Sequence, residues 1–288
     1  MKPFAIPVHT IGPGSQPAEE VELDYLHMPR EMTTFEMPSV PEDADAANMA
    51  TACALLDGFL EGLGRARAGQ GAYPRLDLLA APADAVEILN QSLGEGEVSI
   101  RIAGNEDIRI QETVFAGIWR ERHFAPDGTL RIDMLEAAPI PAIAVETARR
   151  GTIATPLPVD LPAGAMNAPS LLNEIASQVR APRPGAGPHV LNLTLLPLTP
   201  DDHHCLDSAL PVGPVAILSR GFGNCRITST LVRDVWRVQY FNNMQTLILN
   251  TVEIVGIPEV ALAADDDLAD SAERLQDLRE WMAESAEG

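Results

Sequence analysis

The residue types that bind metal ions lie together in one short stretch of the chain. Two aspartates, two histidines and a cysteine follow one another there: Asp201, Asp202, His203, His204 and Cys205. Imidazole, thiolate and carboxylate groups all coordinate metals. In a helix, however, only side chains three or four positions apart share a face, and the single pair Asp201 and Cys205 does not make a site. We therefore predict no metal centre here, but surface histidines beside a cysteine that faces the core.

A second candidate for chemistry is a loop that combines glycines, an aromatic ring, a thiol and two guanidinium groups. It consists of Arg220, Gly221, Phe222, Gly223, Asn224, Cys225 and Arg226. Glycines on both sides of an aromatic residue allow a tight turn that presents the ring, and arginines bind carboxylate or peptide groups. Three interpretations stay open: a structural hairpin turn with a buried cysteine, a protein contact, or a thiol that nearby cations make reactive or metal-binding.

Motifs that mark known catalytic sites are missing from the sequence. It contains no GxSxG, HExxH, phosphate-binding loop or dinucleotide fingerprint. The stretch from Gly12 to Ser15 lacks the lysine and the preceding strand of a phosphate loop, and we interpret it as a plain turn. The three cysteines, Cys53, Cys205 and Cys225, are far apart and form no CxxC pair, which argues against disulfides, zinc or an iron–sulfur cluster. We expect no enzymatic activity and no cofactor.

The net charge of −21 is concentrated at the two ends of the chain. Residues 1–50 carry a net charge of −7 and residues 259–288 a net charge of −8. These ends are either solvated or bind a basic partner, and they disfavour nucleic acid or an anionic membrane as partner. No run approaches the roughly 18 apolar residues of a membrane helix. We expect a cytoplasmic protein without a secretory or twin-arginine leader.

The elements that position these residues come in two similar sets. A shift of 117 residues aligns about one identity in three over roughly 50 ungapped positions. The matched positions include Trp119 and Trp236, which we expect to be core anchors. The predicted fold is α+β, with two tandem copies of a helix-plus-antiparallel-sheet unit that are related by internal duplication, followed by a C-terminal helix.

This duplication predicts five segments along the chain. They are an extended, Pro-rich, acidic N-terminal segment (1–45), a first repeat (46–147), a linker (148–167), a second repeat (168–264) and an acidic amphipathic C-terminal helix (265–288). Each repeat contains a long extended stretch, at 108–124 or 225–241, in which we expect a bend or bulge. The apolar stripe of the last helix either docks on the protein itself or is offered to a partner; its members are Leu268, Leu275, Leu278 and Met282.

Several longer segments carry a family resemblance. They include SRGFGNCRITST (219–230), WRVQYFNN (236–243), LILNTVEIVGIPEVA (247–261) and SAERLQDLREWM (271–282). Over nearly its whole length the chain resembles the HupH/HyaF/HoxQ hydrogenase expression/formation proteins. The resemblance implies a cytoplasmic, non-enzymatic accessory factor in the maturation of uptake nickel–iron hydrogenases. It also implies that this factor acts on the iron–sulfur small-subunit precursor, alongside a thioredoxin-like partner.

The leading hypothesis is a partner contact on the sheet surface around residues 219–243. We predict ten contact residues, which are Arg220, Gly221, Phe222, Gly223, Asn224, Cys225, Arg226, Gln239, Tyr240 and Phe241. One rival hypothesis is an iron or iron–sulfur carrier that uses Cys225 with Cys205 or Cys53. Another is a scaffold in which the repeats only mediate homo-oligomerisation. Because only the second repeat carries the Gly-Phe-Gly loop, we interpret the first as its structural counterpart.

Overall fold

The structure, a computed structural model, describes residues 39, 41, 44–181, 187–221 and 223–287. Most of the predicted N-terminal segment and the predicted contact residue Phe222 lie outside the described residues. The helices within these ranges are α1 (Ala46–Arg67), α2 (Ala83–Leu93), α3 (Ala142–Arg149), α4 (Ala168–Arg180), α5 (Pro200–Ala209) and α6 (Asp265–Glu287). The predicted C-terminal helix is therefore confirmed, whereas α3 was not expected from the sequence.

Ten strands form one antiparallel sheet that runs through both halves of the chain. The strands of the first half are β1 (Arg75–Asp77), β2 (Val98–Ile102), β3 (Asp107–Glu112), β4 (Ile118–Phe124) and β5 (Leu130–Ala137). Those of the second half are β6 (His189–Asn192), β7 (Val212–Ser219), β8 (Asn224–Thr230), β9 (Val235–Phe241) and β10 (Leu247–Ile254). The spatial order is β1-β5-β4-β3-β2-β7-β8-β9-β10-β6. The predicted combination of helices, an antiparallel sheet and a C-terminal helix is confirmed.

The two halves of the sheet have the same strand order when each is followed from its outer edge. They meet where β2 pairs with β7, and there Ile100 lies opposite Ile217, two positions that differ by 117 residues (217 minus 100). The pairing register inside each half follows the same shift. Asp107 pairs with Phe124 between β3 and β4, and the residues 117 positions later pair in the same way between β8 and β9.

The predicted extended stretches at 108–124 and 225–241 are wrong, because each consists of two strands joined by a tight turn. A turn residue in each half has left-handed backbone geometry, with φ +76° at Gly117 and φ +55° at Asp234. Glycine adopts this geometry without strain and aspartate tolerates it better than most residues do. The resulting hairpins keep all four strands short.

Helices cover the two faces of the sheet differently. On the first face, which we call the α3 face, α3 packs over a central apolar cluster that both halves supply, with Trp119 and Trp236 buried in it. Both tryptophans are therefore core anchors, as predicted. On the opposite face, which we call the groove face, Ile118 packs with α1, α2 and α6, and Val235 packs with α4 and α5. These helices lie towards the two ends of the sheet.

The C-terminal helix α6 docks on the protein itself. All four residues of its predicted apolar stripe are buried, and Leu275, Leu278 and Met282 belong to the cluster that α1 and α2 form on the sheet. The guanidinium group of Arg279 binds the Asp57 carboxylate of α1 at 2.6 and 2.8 Å. The alternative that this stripe is offered to a partner is therefore wrong. No helix among the described residues is long and apolar enough to cross a membrane.

The buried carboxylate of Asp202 fixes the beginnings of two helices. Its side chain accepts a hydrogen bond from the backbone N–H of Thr199 at the start of α5 (3.0 Å). It also accepts two from the N–H groups of Asn167 and Ala168 at the start of α4, each at 2.8 Å. Burial alone would raise the pKa of Asp202, but these donors lower it to about 2. Asp202 is therefore a helix cap and not the metal ligand that its position beside two histidines suggests.

Replacing this carboxylate should destabilise the second half of the protein. We expect Asp202→Ala to lower the free energy of unfolding at neutral pH by about 3 kcal/mol, because three backbone N–H groups, one buried and two partly buried, lose their acceptor. Since the pKa of the folded state lies below the ordinary value of 3.8, the contribution is present at neutral pH. The difference between the two proteins should shrink as the pH falls from about 4 towards 2. Urea denaturation followed by tryptophan fluorescence measures both effects.

His204→Ala is the matched control for this substitution. His204 lies on the same helix but is exposed, so its replacement should change the free energy of unfolding by no more than about 0.5 kcal/mol. An Asp202→Ala protein as stable as this control would show that the shared cap does not hold α4 and α5 together.

Candidate partner-binding surface

The predicted Gly-Phe-Gly loop is the turn between β7 and β8. Arg220 and Gly221 follow β7, and Gly223, with φ +98°, leads into β8. The backbone N–H of Arg220 donates to the Glu97 carbonyl at 3.1 Å, which ties the loop to the first half of the chain. A Cβ atom on Gly221 would lie 2.5 Å from the Glu97 carboxylate. The described loop residues are exposed, so the turn presents its backbone to solvent.

The strands that leave this turn bring six of the predicted contact residues side by side. Between β8 and β9, Asn224 pairs with Phe241, Cys225 with Tyr240, and Arg226 with Gln239. Because successive side chains of a strand point to opposite faces, the six do not form one surface. Cys225 and Tyr240 lie on the α3 face among buried apolar residues. The other four residues lie on the groove face.

The thiol of Cys225 is buried. Its side chain is 3% exposed, and burial raises its pKa to about 11, although a hydrogen bond with Tyr240 opposes this shift. Burial likewise raises the pKa of Tyr240 to about 12. Arg226, one of the cations that would have lowered the thiol pKa, points to the opposite face. This placement favours the interpretation of Cys225 as a buried structural cysteine over that of a reactive thiol.

The three cysteines lie in three different apolar clusters. Cys53 packs between α1 and the first half of the sheet, and Cys205 packs between α5 and the second half. Cys225 lies on the α3 face, on the other side of the sheet from both. A site that joins Cys225 to either of the others is therefore contradicted by their placement. Cys205 is buried beside the exposed His204, as predicted from the sequence.

On the groove face, Arg226 and Phe241 form the chemically most distinctive pair of predicted residues. The Arg226 guanidinium lies 5.5 Å from the centre of the Phe241 ring, a cation–π contact. The first half repeats this contact at the matched positions, with Arg109 at 4.8 Å from the Phe124 ring. Arg226 is half-buried, and among the described residues no carboxylate forms an ion pair with it. This half of the surface therefore offers a guanidinium group to a partner.

An exposed apolar cluster continues the surface at the end of the β9–β10 hairpin. We call it the apolar tip, and it consists of Leu195, Met244, Leu247 and Ile248, all of which are exposed. Leu247 pairs with Phe241, and the Thr194 hydroxyl accepts a hydrogen bond from the Asn250 N–H at 2.8 Å, which holds Leu195 beside β10. In the first half the corresponding turn is the polar sequence Pro126-Asp127-Gly128.

Arginines on the groove face of the first half were missed by the sequence reasoning. Arg101 of β2 pairs with Arg109 of β3, which in turn pairs with Arg122 of β4. We call these three residues the arginine row. If a hairpin turn had been predicted at residues 103–106, Arg101 and Arg109 would have been expected opposite each other. The position of Arg122 depends on the second hairpin, which the sequence did not indicate.

A group of buried carboxyls on the α3 face was also missed. Glu121 and Glu136 are buried on neighbouring strands, and each has one carboxyl oxygen without a hydrogen-bond partner. Burial raises the pKa of Glu136 above its ordinary value, although the guanidinium of Arg75, 3.5 Å from the carboxylate, opposes part of this shift. His123 binds Glu121 at 2.5 Å. Among the described residues, however, no three His, Cys, Asp or Glu side chains are arranged to hold a metal ion.

Thiol labelling tests the assignment of Cys225. In a Cys53→Ser, Cys205→Ser variant the remaining Cys225 should react with Ellman's reagent at neutral pH only after unfolding. At a pKa of about 11, only about one thiol in ten thousand is ionised near pH 7. Arg220→Cys in the same background places a thiol in the exposed loop and should react at once. Rapid reaction of Cys225 in the folded protein would contradict its burial.

Comparison with known proteins gives a consistent set of similarities. The family described as HupH hydrogenase expression protein, C-terminal conserved region, matches residues 49–151 and 165–282. The hydrogenase expression/formation protein HoxQ of Cupriavidus necator is 47% identical over 283 residues, which cover 98% of this chain and 99% of that protein. The corresponding protein HupH of Rhodobacter capsulatus is 40% identical over 282 residues, with coverages of 96% and 98%.

More distant similarities involve an enterobacterial protein and a solved structure. The hydrogenase-1 operon protein HyaF of Escherichia coli is 34% identical over 284 residues, which cover 96% of this chain and 97% of that protein. The structure of the hydrogenase expression protein HupH from Thiobacillus denitrificans is 25% identical. The aligned region covers 38% of this chain and 92% of the chain in that structure, and the TM-score is 0.35.

Proposed function

This chain belongs to the HupH family of hydrogenase expression proteins, and we propose that it is a non-enzymatic assembly factor for an uptake nickel–iron hydrogenase. In this proposal it binds the precursor of the iron–sulfur small subunit in the cytoplasm before export. Relatives that match 94% or more of the chain and are 34–47% identical are named for hydrogenase expression or formation, or for a hydrogenase operon. A role in hydrogenase maturation follows from this family, and binding of the small-subunit precursor is the step that we add.

The observation that carries the proposal is the apolar tip beside the predicted contact residues. Monomeric proteins rarely expose clustered large apolar side chains unless the cluster binds something. Met244 is 85% exposed, and Ile248 lies next to Leu247, the pairing partner of Phe241. An assembly factor must hold a partly folded client whose own apolar surfaces are not yet covered. An exposed apolar cluster next to the Arg226 guanidinium, which has no ion pair within the described part of the chain, suits such a client.

We also propose that the two halves arose by internal duplication. The shared strand order, the 117-residue shift in pairing register and the separate family matches at 49–151 and 165–282 support this origin. In this proposal the repeats span 46–147 and 168–264. The matched turn of the first half is polar, so the apolar contact with the client is assigned to the second half.

The remaining partner assignments rest on family membership and charge. We propose that a thioredoxin-like accessory protein acts on the same precursor. The acidic ends of the chain, with net charges of −7 and −8, suit basic segments of the client such as a twin-arginine leader.

Substitutions in the apolar tip should weaken client binding without unfolding the protein. We expect the double variant Met244→Ser, Ile248→Ser to bind the purified small-subunit precursor about tenfold or more weakly. Because both side chains are exposed, its free energy of unfolding should change by no more than about 0.5 kcal/mol. Biolayer interferometry with immobilised precursor measures the affinity, and urea denaturation measures the stability.

Met166→Ser provides a matched control for the tip. Met166 is 75% exposed but lies in the segment between the halves, away from the β9–β10 hairpin. Its replacement should leave the affinity for the precursor unchanged. If the tip variant and this control bind the precursor equally well, the apolar tip is not the client contact. If the unsubstituted protein does not bind the precursor at all, the proposed function itself is wrong.

A further inference from the structure

The arginine row places three like charges next to one another on the groove face. Arg101, Arg109 and Arg122 occupy directly paired positions on three neighbouring strands. Like charges in such positions destabilise a sheet. A protein with only 20 basic residues and a net charge of −21 has little reason to place three of its arginines side by side for solubility. The row therefore needs another explanation.

Neighbouring acidic side chains neutralise the row only in part. The carboxylate of Asp107 forms ion pairs with both Arg101, at 3.1 Å, and Arg109, at 2.7 Å. Asp133 lies opposite Arg122 on the neighbouring strand β5, but it forms an ion pair with the buried guanidinium of Arg120. Arg122 is left without a carboxylate partner among the described residues, and its buried Nε has no hydrogen-bond acceptor. Because one aspartate serves two of the arginines and Arg122 has no ion pair among the described residues, the row carries positive charge that these residues do not fully neutralise.

The sheet itself does not require these three arginines. In the second half the strand pairs are the same, but the matched positions hold Leu218, Arg226 and Gln239. The same scaffold thus forms with one cation where the first half has three. In the first half Asp107 links Arg101 to Arg109, but among the described residues no ion pair accounts for Arg122.

The row is accessible from solvent. The helices on the groove face lie over the outer strands: α2 reaches β4 through the Asn90–Arg120 contact, and α5 reaches β9 through the Asp207–Arg237 contact. The central strands between them form the floor of an open groove. The side chains of Arg101 and Arg109 are 51% and 60% exposed on this floor.

We propose that the arginine row is a docking site for a partner protein segment that carries two or more carboxylates. Guanidinium groups bind carboxylates through paired, charge-assisted hydrogen bonds. Neighbouring strands are about 5 Å apart, which is close to the spacing of acidic side chains three or four residues apart on a helix. A long polyanion such as nucleic acid does not fit, because the acidic remainder of the protein repels it. The site is independent of the apolar tip.

A labelled acidic peptide tests this proposal directly. The probe is a fluorescein-labelled alanine-based peptide with glutamate at every fourth position, and the comparison peptide has glutamine at those positions. Fluorescence anisotropy at low salt measures the binding of each peptide to the full chain. We expect the glutamate peptide to bind about tenfold or more tightly than the glutamine peptide, with the difference reduced at high salt.

Substitutions in the row show whether it is the binding site. The variant Arg109→Gln, Arg122→Gln should bind the glutamate peptide about tenfold or more weakly. Arg101 remains to pair with Asp107, and the substitution at position 122 removes the orphaned donor. The lost contacts of Arg109 with Asp107 and Phe124 involve a largely exposed side chain, so the unfolding temperature should fall only slightly. The control variant Arg65→Gln, Arg150→Gln removes two exposed arginines outside the groove and should bind the peptide as the unsubstituted protein does.

Three results would overturn the proposal. They are equal binding of the two peptides, equal loss of binding in the row variant and the control variant, and tighter binding of a single-stranded oligonucleotide than of the glutamate peptide. The Met244→Ser, Ile248→Ser variant should bind the glutamate peptide normally. Failure of the client-binding experiment and failure of the peptide experiment can therefore be told apart.

Discussion

The pairing of β2 with β7 is the interaction on which the rest of the molecule depends. Five residue pairs join the two halves into one sheet, and without them each half would expose a hydrogen-bonding edge in the middle of the protein. The outer edges that remain are the short strands β1 and β6, with three and four residues. Below the junction, α3 covers an apolar cluster to which both halves contribute. The β2–β7 pairing and the burial of this shared cluster therefore depend on each other.

This junction also decides how the groove face is built. The α3 face carries the buried central cluster, so the polar residues of the central strands must point to the opposite face. There the helices of each half remain over their own outer strands, and the floor between them stays open. The same alternation explains why Cys225 is buried, while Arg226, its neighbour in sequence, lies on the groove face with its guanidinium over Phe241.

Sequence patterns predicted the helices and the general class of fold well, because helical periodicity is a local signal. The apolar stripe of α6 is an example in which a few neighbouring residues determine the structure. The hairpin at 225–241 was missed because its turn residue with positive φ is Asp234 and not a glycine.

The candidate site was harder to predict because it depends on pairing between distant strands. The sequence named residues 224–226 and 239–241 as candidates, but it placed them along one extended stretch and did not show that a hairpin pairs them. It did not show that strand alternation divides them between two faces. The arginine row depends on the registers of β2–β3 and β3–β4 together, and no single segment contains that information. An unbalanced charge on one face becomes visible only after the strands are aligned.

Matched positions in the two halves of the groove differ in opposite chemical directions. Where the first half has the charged Arg101 and Arg122, the second has Leu218 and Gln239, and only the second half ends in the apolar tip. Since β2 and β7 are paired, these two surfaces are continuous along one floor. The guanidinium groups therefore lie in one half of this floor and the exposed apolar side chains in the other. This chemical asymmetry comes from side chains alone, because the strand order and pairing register of the two halves are the same.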